Sequence, residues 1–136
     1  MFLCTGNSAR SQMAEGWLRH LAGDRFEVVS AGTEPSGVNP LAVEVMRERG
    51  VDISAQVSKA VTKYLGQHFL FLITVCDNAR ERCPIFPGVT HRLHWPIEDP
   101  VAIAGDQTQR LAGFRRIRDE IERRIRAWLK EQGQAQ

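Results

Sequence analysis

The sequence predicts an α/β fold, a three-layer sandwich with a central four-stranded parallel sheet, and three observations carry the prediction. Four short apolar runs, at Phe2-Leu3, Phe26–Ala31, Phe69–Val75 and His91–Trp95, alternate with segments whose apolar residues recur every three to four positions, so strands alternate with helices. Turn residues such as Gly23, Gly32, Gly50 and Pro87-Gly88 separate these segments. Phe69-Leu70-Phe71-Leu72-Ile73-Thr74-Val75 has the nearly unbroken apolar character of a central strand covered on both faces. With 136 residues and 43% hydrophobic content, residues 1–136 suit one domain with a real core and no linker.

Taken in order, Met1-Phe2-Leu3 precede Cys4, so either the first strand is short or the start shown lies downstream of the native one. Met13, Ala14, Trp17, Leu18 and Leu21 define a first helix that stops at Gly23. After the strand Phe26–Ala31, Gly32 to Pro40 reads as a loop, with Asn39 as N-cap and Pro40 as first helical residue. Leu41, Ala42, Val45 and Met46 form the stripe of a second helix ended by Gly50. Ile53–Gln56 is an extended link, and Ser58–Leu65 is expected to be a third helix. Asp77–Cys83 is a polar helical turn bounded by Pro84 and Pro87-Gly88. From Gln107 to Leu129, Leu111, Phe114, Ile117, Ile121, Ile125, Trp128 and Leu129 form one long amphipathic helix. Its arginines, Arg115, Arg116, Arg118, Arg123, Arg124 and Arg126, read as a solvated face paired at i,i+4 with Asp119, Glu120 and Glu122.

A net charge of +2 without a basic tract argues against nucleic acid as the main partner. No window has the apolar length of a membrane span and the N-terminus does not read as a signal peptide, so a cytoplasmic monomer is expected. Three cysteines do not make a secreted disulfide framework; reduced thiols used in catalysis fit better. Neither a CxxC pair nor a histidine cluster is present, so no metal and no bound cofactor is expected.

The residues with the clearest chemistry are Cys4-Thr5-Gly6-Asn7-Ser8-Ala9-Arg10-Ser11, between the first strand and the first helix. Small residues at such a junction can turn their N–H groups inward, and the helix adds its positive end, so Thr5 to Ser11 form a cradle for a tetrahedral oxyanion. Cys4 would lie at its floor as a thiolate nucleophile, with Ser11 hydrogen-bonding the sulfur. The Arg10 guanidinium can grip two oxygens of the anion. A buried cysteine and a surface arginine is the plainer alternative for either residue alone; their spacing around Gly6 and Asn7 favours the oxyanion site. In an α/β sheet, ligands sit beyond the carboxyl ends of the strands, and Cys4, Cys76 and Asp99 each follow a strand, so all three can share one rim. Asp99, held between Pro96 and Pro100, is the candidate general acid.

This loop resembles the phosphate-binding loop of the low-molecular-weight protein tyrosine phosphatases. The longer string Cys4 to Gly16, with Cys76-Asp77-Asn78-Ala79-Arg80-Glu81-Arg82-Cys83-Pro84, His94-Trp95-Pro96 and Asp99-Pro100, is most similar to their redox relatives, the thioredoxin-coupled arsenate reductases. The resemblance spans nearly the whole chain. It implies that Cys4 attacks arsenate, Cys76 attacks Cys4 with release of arsenite, and Cys83 attacks Cys76, so that a disulfide moves outward to thioredoxin. It also implies that Asp99 is the general acid. If 76–83 were helical, seven residues would separate the two sulfurs by ~10 Å along the axis, too far for a disulfide, so the segment is expected to bend or unwind. Asn7, Glu15 and Ser30 match positions of a potassium site in some members, whereas Val57 and Lys59 stand at the other matching places. That departure argues against potassium, and the Lys59 ammonium is expected in the cation's place. The alternatives are a tyrosine phosphatase acting on aryl phosphates through a phosphocysteine, against which Val101-Ala102 offers no aromatic flank, and a non-catalytic thiol sensor or oxyanion-binding module.

Overall fold

The structure, a computed structural model, describes residues 1–76 and 86–133. Among the described residues the chain runs β1 (Phe2–Cys4), α1 (Arg10–Ala22), β2 (Ser30–Gly32), α2 (Pro40–Arg47), β3 (Phe69–Thr74), β4 (Val89–His94) and α3 (Gln107–Glu131). Single 3-10 turns occupy Val61–Tyr64 and Pro100–Ala102. The strands form one parallel sheet in the order β2-β1-β3-β4, with Leu3 set between Ala31 and Thr74. Because every strand runs the same way, all the carboxyl ends open onto one rim.

Side chains alternate across the sheet and so divide the core. Phe2, Cys4, Ile73 and Val75 enter the larger apolar cluster, with Met13 and Trp17 of α1, Val45 and Met46 of α2, and Phe114, Ile117 and Ile121 of α3. Leu3, Ala31 and Leu72 face the other way, onto Tyr64 and Phe86. Each large side chain buried in these layers contributes about 1.5–3 kcal/mol relative to exposure. Close packing of the Ile53 segment on α1 depends on Gly16, where a Cβ would lie 2.5 Å from Ile53 Cγ2.

The helix ends follow local chemistry. Asn39 caps α2, its Oδ1 accepting from the Leu41 N–H at 2.8 Å with Pro40 in the first turn. At α3 the Asp106 carboxylate accepts from Gln109 N and the Gln109 side chain accepts from Asp106 N, both at 2.9 Å, a capping box.

Four expectations change in the folded chain. Ser58–Leu65 is not a helix: residues 57–59 have no regular structure, Ala60 is extended and bridges Gly32 in parallel, and only Val61–Tyr64 makes a 3-10 turn. The reason is tertiary: the Lys59 carbonyl, which a helix would use internally, accepts instead from Gly32 N (2.9 Å), and the Lys59 N–H is given to the Asn7 side chain (2.8 Å). The second strand is shorter and later than Phe26–Ala31, starting at Ser30, although the Val29 carbonyl still accepts from Phe2 N. β3 is central but not covered throughout: Leu70 is 57% exposed, while Phe69 and Leu72 on either side of it pack with the smaller cluster. The fourth strand is Val89–His94 rather than His91–Trp95.

The arginines of α3 are divided in role. Arg124–Glu120 (3.2 Å) and Arg126–Glu122 (2.9 Å) are the expected surface pairs. Arg118 is instead buried and crosses to α2, donating to the Val45 carbonyl and the Glu48 carboxylate at 2.9 Å each, while Arg115 donates to Glu48 at 2.8 Å. The Arg115 and Arg118 hydrogen bonds hold the Glu48 carboxyl below its usual range, and Glu48 thereby ties two helices that the sequence pattern treats separately.

Candidate active site

Residues 5–9 carry the chain from the end of β1 to the start of α1, and their conformation is set from outside. Thr5 O accepts from Glu34 N at 2.9 Å, Gly6 O from Ser36 N at 3.0 Å and Ser58 Oγ at 3.2 Å, and Ser8 O from Asn39 N at 3.0 Å. Asn7 O accepts from Ser58 Oγ at 2.9 Å and Gln12 Nε2 at 3.1 Å. Four successive carbonyls are thus engaged on the outer side of the loop. In a trans peptide the N–H opposes the C=O, so the N–H groups of residues 6–9 are presented to the concave side, next to the N-terminus of α1. Asn7 sustains the turn at φ +45°, in the left-handed region that asparagine tolerates better than most residues.

Asn7 is also the hub of a hydrogen-bond ladder with a defined direction. Its Oδ1 accepts from Lys59 N (2.8 Å) and Gln12 Nε2 (2.9 Å), which fixes the amide orientation. Its Nδ2 therefore donates both ways, to Ser11 Oγ at 2.8 Å and to Ser30 Oγ at 2.9 Å. Each hydroxyl, already accepting from Asn7, turns its own proton outward. Ser30 donates to Glu15 Oε1 at 2.5 Å, and Ser11 is left to donate to Cys4 Sγ, 2.9 Å away. The ladder thus ends on the Cys4 sulfur and fixes it at the floor of the loop.

Arg10 and Asp99 complete the rim. The Arg10 side chain is buried, its Nη1 donating to Ile97 O at 3.2 Å and Val75 O at 3.4 Å, and its Nη2 stands 3.8 Å from Asp99 Oδ2. Asp99 is part-exposed and caps the Pro100–Ala102 turn, its Oδ1 accepting from Val101 N at 3.0 Å. Cys76, two residues beyond β3, is fully buried in the same apolar cluster as Cys4, and its Sγ donates to Leu3 O at 3.8 Å, on the residue that precedes Cys4. Cys4, Arg10, Asp99 and Cys76 therefore come from three different strand ends to one corner. Cys83 and the segment 77–85, with the expected bend, lie outside the described residues.

Asn7, Glu15 and Ser30 are together as the matching positions imply, and Lys59 joins them: its Nζ lies 3.5 Å from Glu15 Oε1 and donates to Val57 O at 2.7 Å. Val57 takes part through its carbonyl alone, its side chain standing in solvent. Among the described residues no group of three His, Cys, Asp or Glu side chains could hold a metal ion.

Several residues of this site were given no role by the sequence. Gln12, fully buried in the first turn of α1, bonds Asn7 twice and Val57 once. Ser58 binds two loop carbonyls from a segment whose pattern reads as helix. Gly32 shows how close the second strand approaches: a Cβ there would lie 2.5 Å from Thr5 O. Only the position of Gly32 at a strand end pointed toward it.

Reversing the ladder is a direct test of its direction. In Asn7→Asp the new carboxylate accepts from Ser11 and Ser30 and takes the Ser11 proton away from sulfur. Hydrolysis of para-nitrophenyl phosphate is expected to fall about thirtyfold, the equivalent of one hydrogen bond to a charged group at about 2 kcal/mol. An unchanged kcat/KM in a folded variant would contradict the assignment.

A thiol under a loop of inward N–H groups, with a buried guanidinium and a carboxyl at its mouth, can bind a tetrahedral oxyanion and attack its central atom. Residues 1–136 match the family described as low molecular weight phosphotyrosine protein phosphatase. The chain is 47% identical over 127 residues to an arsenate reductase of Halalkalibacterium halodurans, covering 93% of this chain and 91% of that protein. It is 44% identical over 125 residues to an arsenate reductase of Bacillus subtilis, covering 92% and 90%. Among solved structures it is similar to an arsenate reductase in the phosphate binding state, with a TM-score of 0.81 at 32% identity over 96% of this chain and 95% of that one. A thioredoxin-dependent arsenate reductase of Corynebacterium glutamicum gives a TM-score of 0.72 at 35% identity, over 96% of this chain and 59% of that chain. Fold, loop and relatives agree, and the chain belongs to the low molecular weight phosphotyrosine protein phosphatase family.

Proposed function

We propose that this chain reduces arsenate to arsenite through a three-thiol relay, with thioredoxin restoring the thiols, in cytoplasmic detoxification of arsenic by a monomer. The observation that carries the reading is the burial of Cys76 in the apolar cluster of Cys4, at the same strand-end corner as Arg10 and Asp99. The arsenate reductases among the relatives support it.

The chemistry balances as follows. The Cys4 thiolate displaces an oxygen of arsenate, which leaves as water with protons from Asp99 and solvent, giving a thiolate–As(V) adduct held by the loop N–H groups and Arg10. The Cys76 thiolate then attacks Cys4 Sγ. The S–As bond breaks with its electron pair going to arsenic, arsenite departs as As(III), and a Cys4–Cys76 disulfide remains. Attack of the Cys83 thiolate on Cys76 Sγ releases Cys4 and leaves Cys76–Cys83, which the thioredoxin dithiol reduces. One thiol pair supplies the two electrons, and no bound cofactor is required.

A second reading, phosphate-ester hydrolysis, keeps a specific basis because Cys4, Arg10 and Asp99 suffice for a phosphocysteine and its hydrolysis. Val101-Ala102 follows Asp99-Pro100 and offers no aromatic flank for a phosphotyrosine ring, with Val101 45% exposed, which favours ester hydrolysis as a side activity. The deciding experiment is NADPH oxidation with thioredoxin and thioredoxin reductase. Oxidation that requires both arsenate and this protein is expected. A rate indifferent to arsenate, alongside rapid hydrolysis of para-nitrophenyl phosphate, would make the protein a phosphatase instead.

A further inference from the structure

Glu15 poses an electrostatic question that the relay does not answer. Its carboxylate is 5% exposed, and a buried charge of this kind persists only when paired. Oε2 receives Arg19 Nη2 at 2.7 Å from an arginine nearly half open to solvent. Oε1, the oxygen that holds Ser30, faces Lys59 Nζ at 3.5 Å, with the lysine side chain only 11% exposed. Lys59 thus reaches the Asn7 hub twice. Its main-chain N–H binds Asn7 Oδ1 directly, and its ammonium balances the carboxylate that orients Ser30 against Asn7 Nδ2. The Val57 carbonyl, at 2.7 Å from Nζ, adds a second oxygen around the ammonium.

We propose that Lys59 is a positioning residue for the oxyanion loop, its ammonium acting as a cation tethered within the fold, so that the protein works without any small monovalent cation from solution. The proposal rests on the oxyanion-loop reading but not on arsenate reduction. Loss of the ammonium leaves Glu15 Oε1 and Val57 O facing a gap, with Arg19 on Oε2 as the carboxylate's remaining cation. The cavity of about 420 Å³ lined by Glu15, Val57, Lys59, Arg19 and Tyr64 gives a small cation access to that gap. A free potassium or ammonium ion should then do what Nζ does in the wild type.

The test uses Lys59→Ala and the longer, uncharged Lys59→Met, with inorganic phosphate affinity and para-nitrophenyl phosphate hydrolysis as readouts. Folding is checked by thermal unfolding at each salt. In sodium-free buffer made up with tetramethylammonium, both variants are expected to lose roughly ten- to a hundredfold in phosphate affinity and kcat/KM, the usual cost of removing a support behind a binding shell. Replacing tetramethylammonium by potassium or ammonium at the same ionic strength should restore Lys59→Ala most of the way, leave Lys59→Met low because its side chain fills the gap, and leave the wild type unchanged. Full activity of Lys59→Ala in tetramethylammonium would overturn the positioning role. A folded but weakened Lys59→Ala that no cation restores, or a wild type stimulated as strongly as the variant, would overturn the tethered cation. Because neither readout involves arsenic, a failure of the arsenate assay leaves these outcomes legible.

Discussion

Sustained arsenate reduction is expected to stop in Cys76→Ser, while hydrolysis of para-nitrophenyl phosphate persists within a few-fold of the wild type. Serine at 76 cannot attack sulfur, so the Cys4 adduct has no route to a disulfide and arsenic keeps its oxidation state. The loss in steady turnover is on the order of a thousandfold or more, as for removal of a residue whose step nothing else performs. Ester hydrolysis needs only Cys4, Arg10 and Asp99, all of which stay in place because the substitution is nearly isosteric in a buried position. Cys4→Ser should abolish both activities, which separates the nucleophile from the resolving thiol. A Cys76→Ser protein that continued to consume NADPH in the presence of arsenate would remove Cys76 from the electron path.

Gly32→Ala is the second large effect, and it comes from a residue that performs no chemistry. A Cβ at position 32 would lie 2.5 Å from Thr5 O, 2.8 Å from Asn7 N and 3.0 Å from Cys4 O. All three are backbone atoms, so no rotamer relieves the clash, and β2 must move away from the loop. That movement strains the Gly32 N to Lys59 O hydrogen bond and the parallel bridge to Ala60. The variant is expected to lose about 3 kcal/mol in urea denaturation, at the upper end of overpacking costs, together with most of its phosphate binding. Gly37→Ala provides the contrast. There φ is +86° but nothing lies within 4 Å of the added Cβ. It should cost about 1 kcal/mol through the backbone alone and leave ester hydrolysis near wild type. Equal activity of the two variants would show that the loop tolerates displacement of β2.

These two predictions have different origins in the chain. The residues of the first stand out in the linear order, with Cys4, Arg10 and Ser11 at loop spacing, Cys76 at a strand end and Asp99 between prolines, while the electron path through Cys76 is what the family resemblance implies. Hydrophobic periodicity set α1, α2 and α3, with the Asn39 cap at α2, because those signals arise from neighbours within a turn or two of the same segment, and the alternation of strands with helices set the parallel sheet. Only the tertiary structure decided that Ala60 bridges the end of β2 at Gly32, that Arg118 crosses to Glu48, and that Gly32 meets the loop at contact distance. The physical reason is the same in each case. The deciding hydrogen bond or clash joins residues from about 27 to 70 positions apart, such as Lys59 N to Asn7 Oδ1 across 52, and at these positions such contacts outweigh the local preference that a pattern can read.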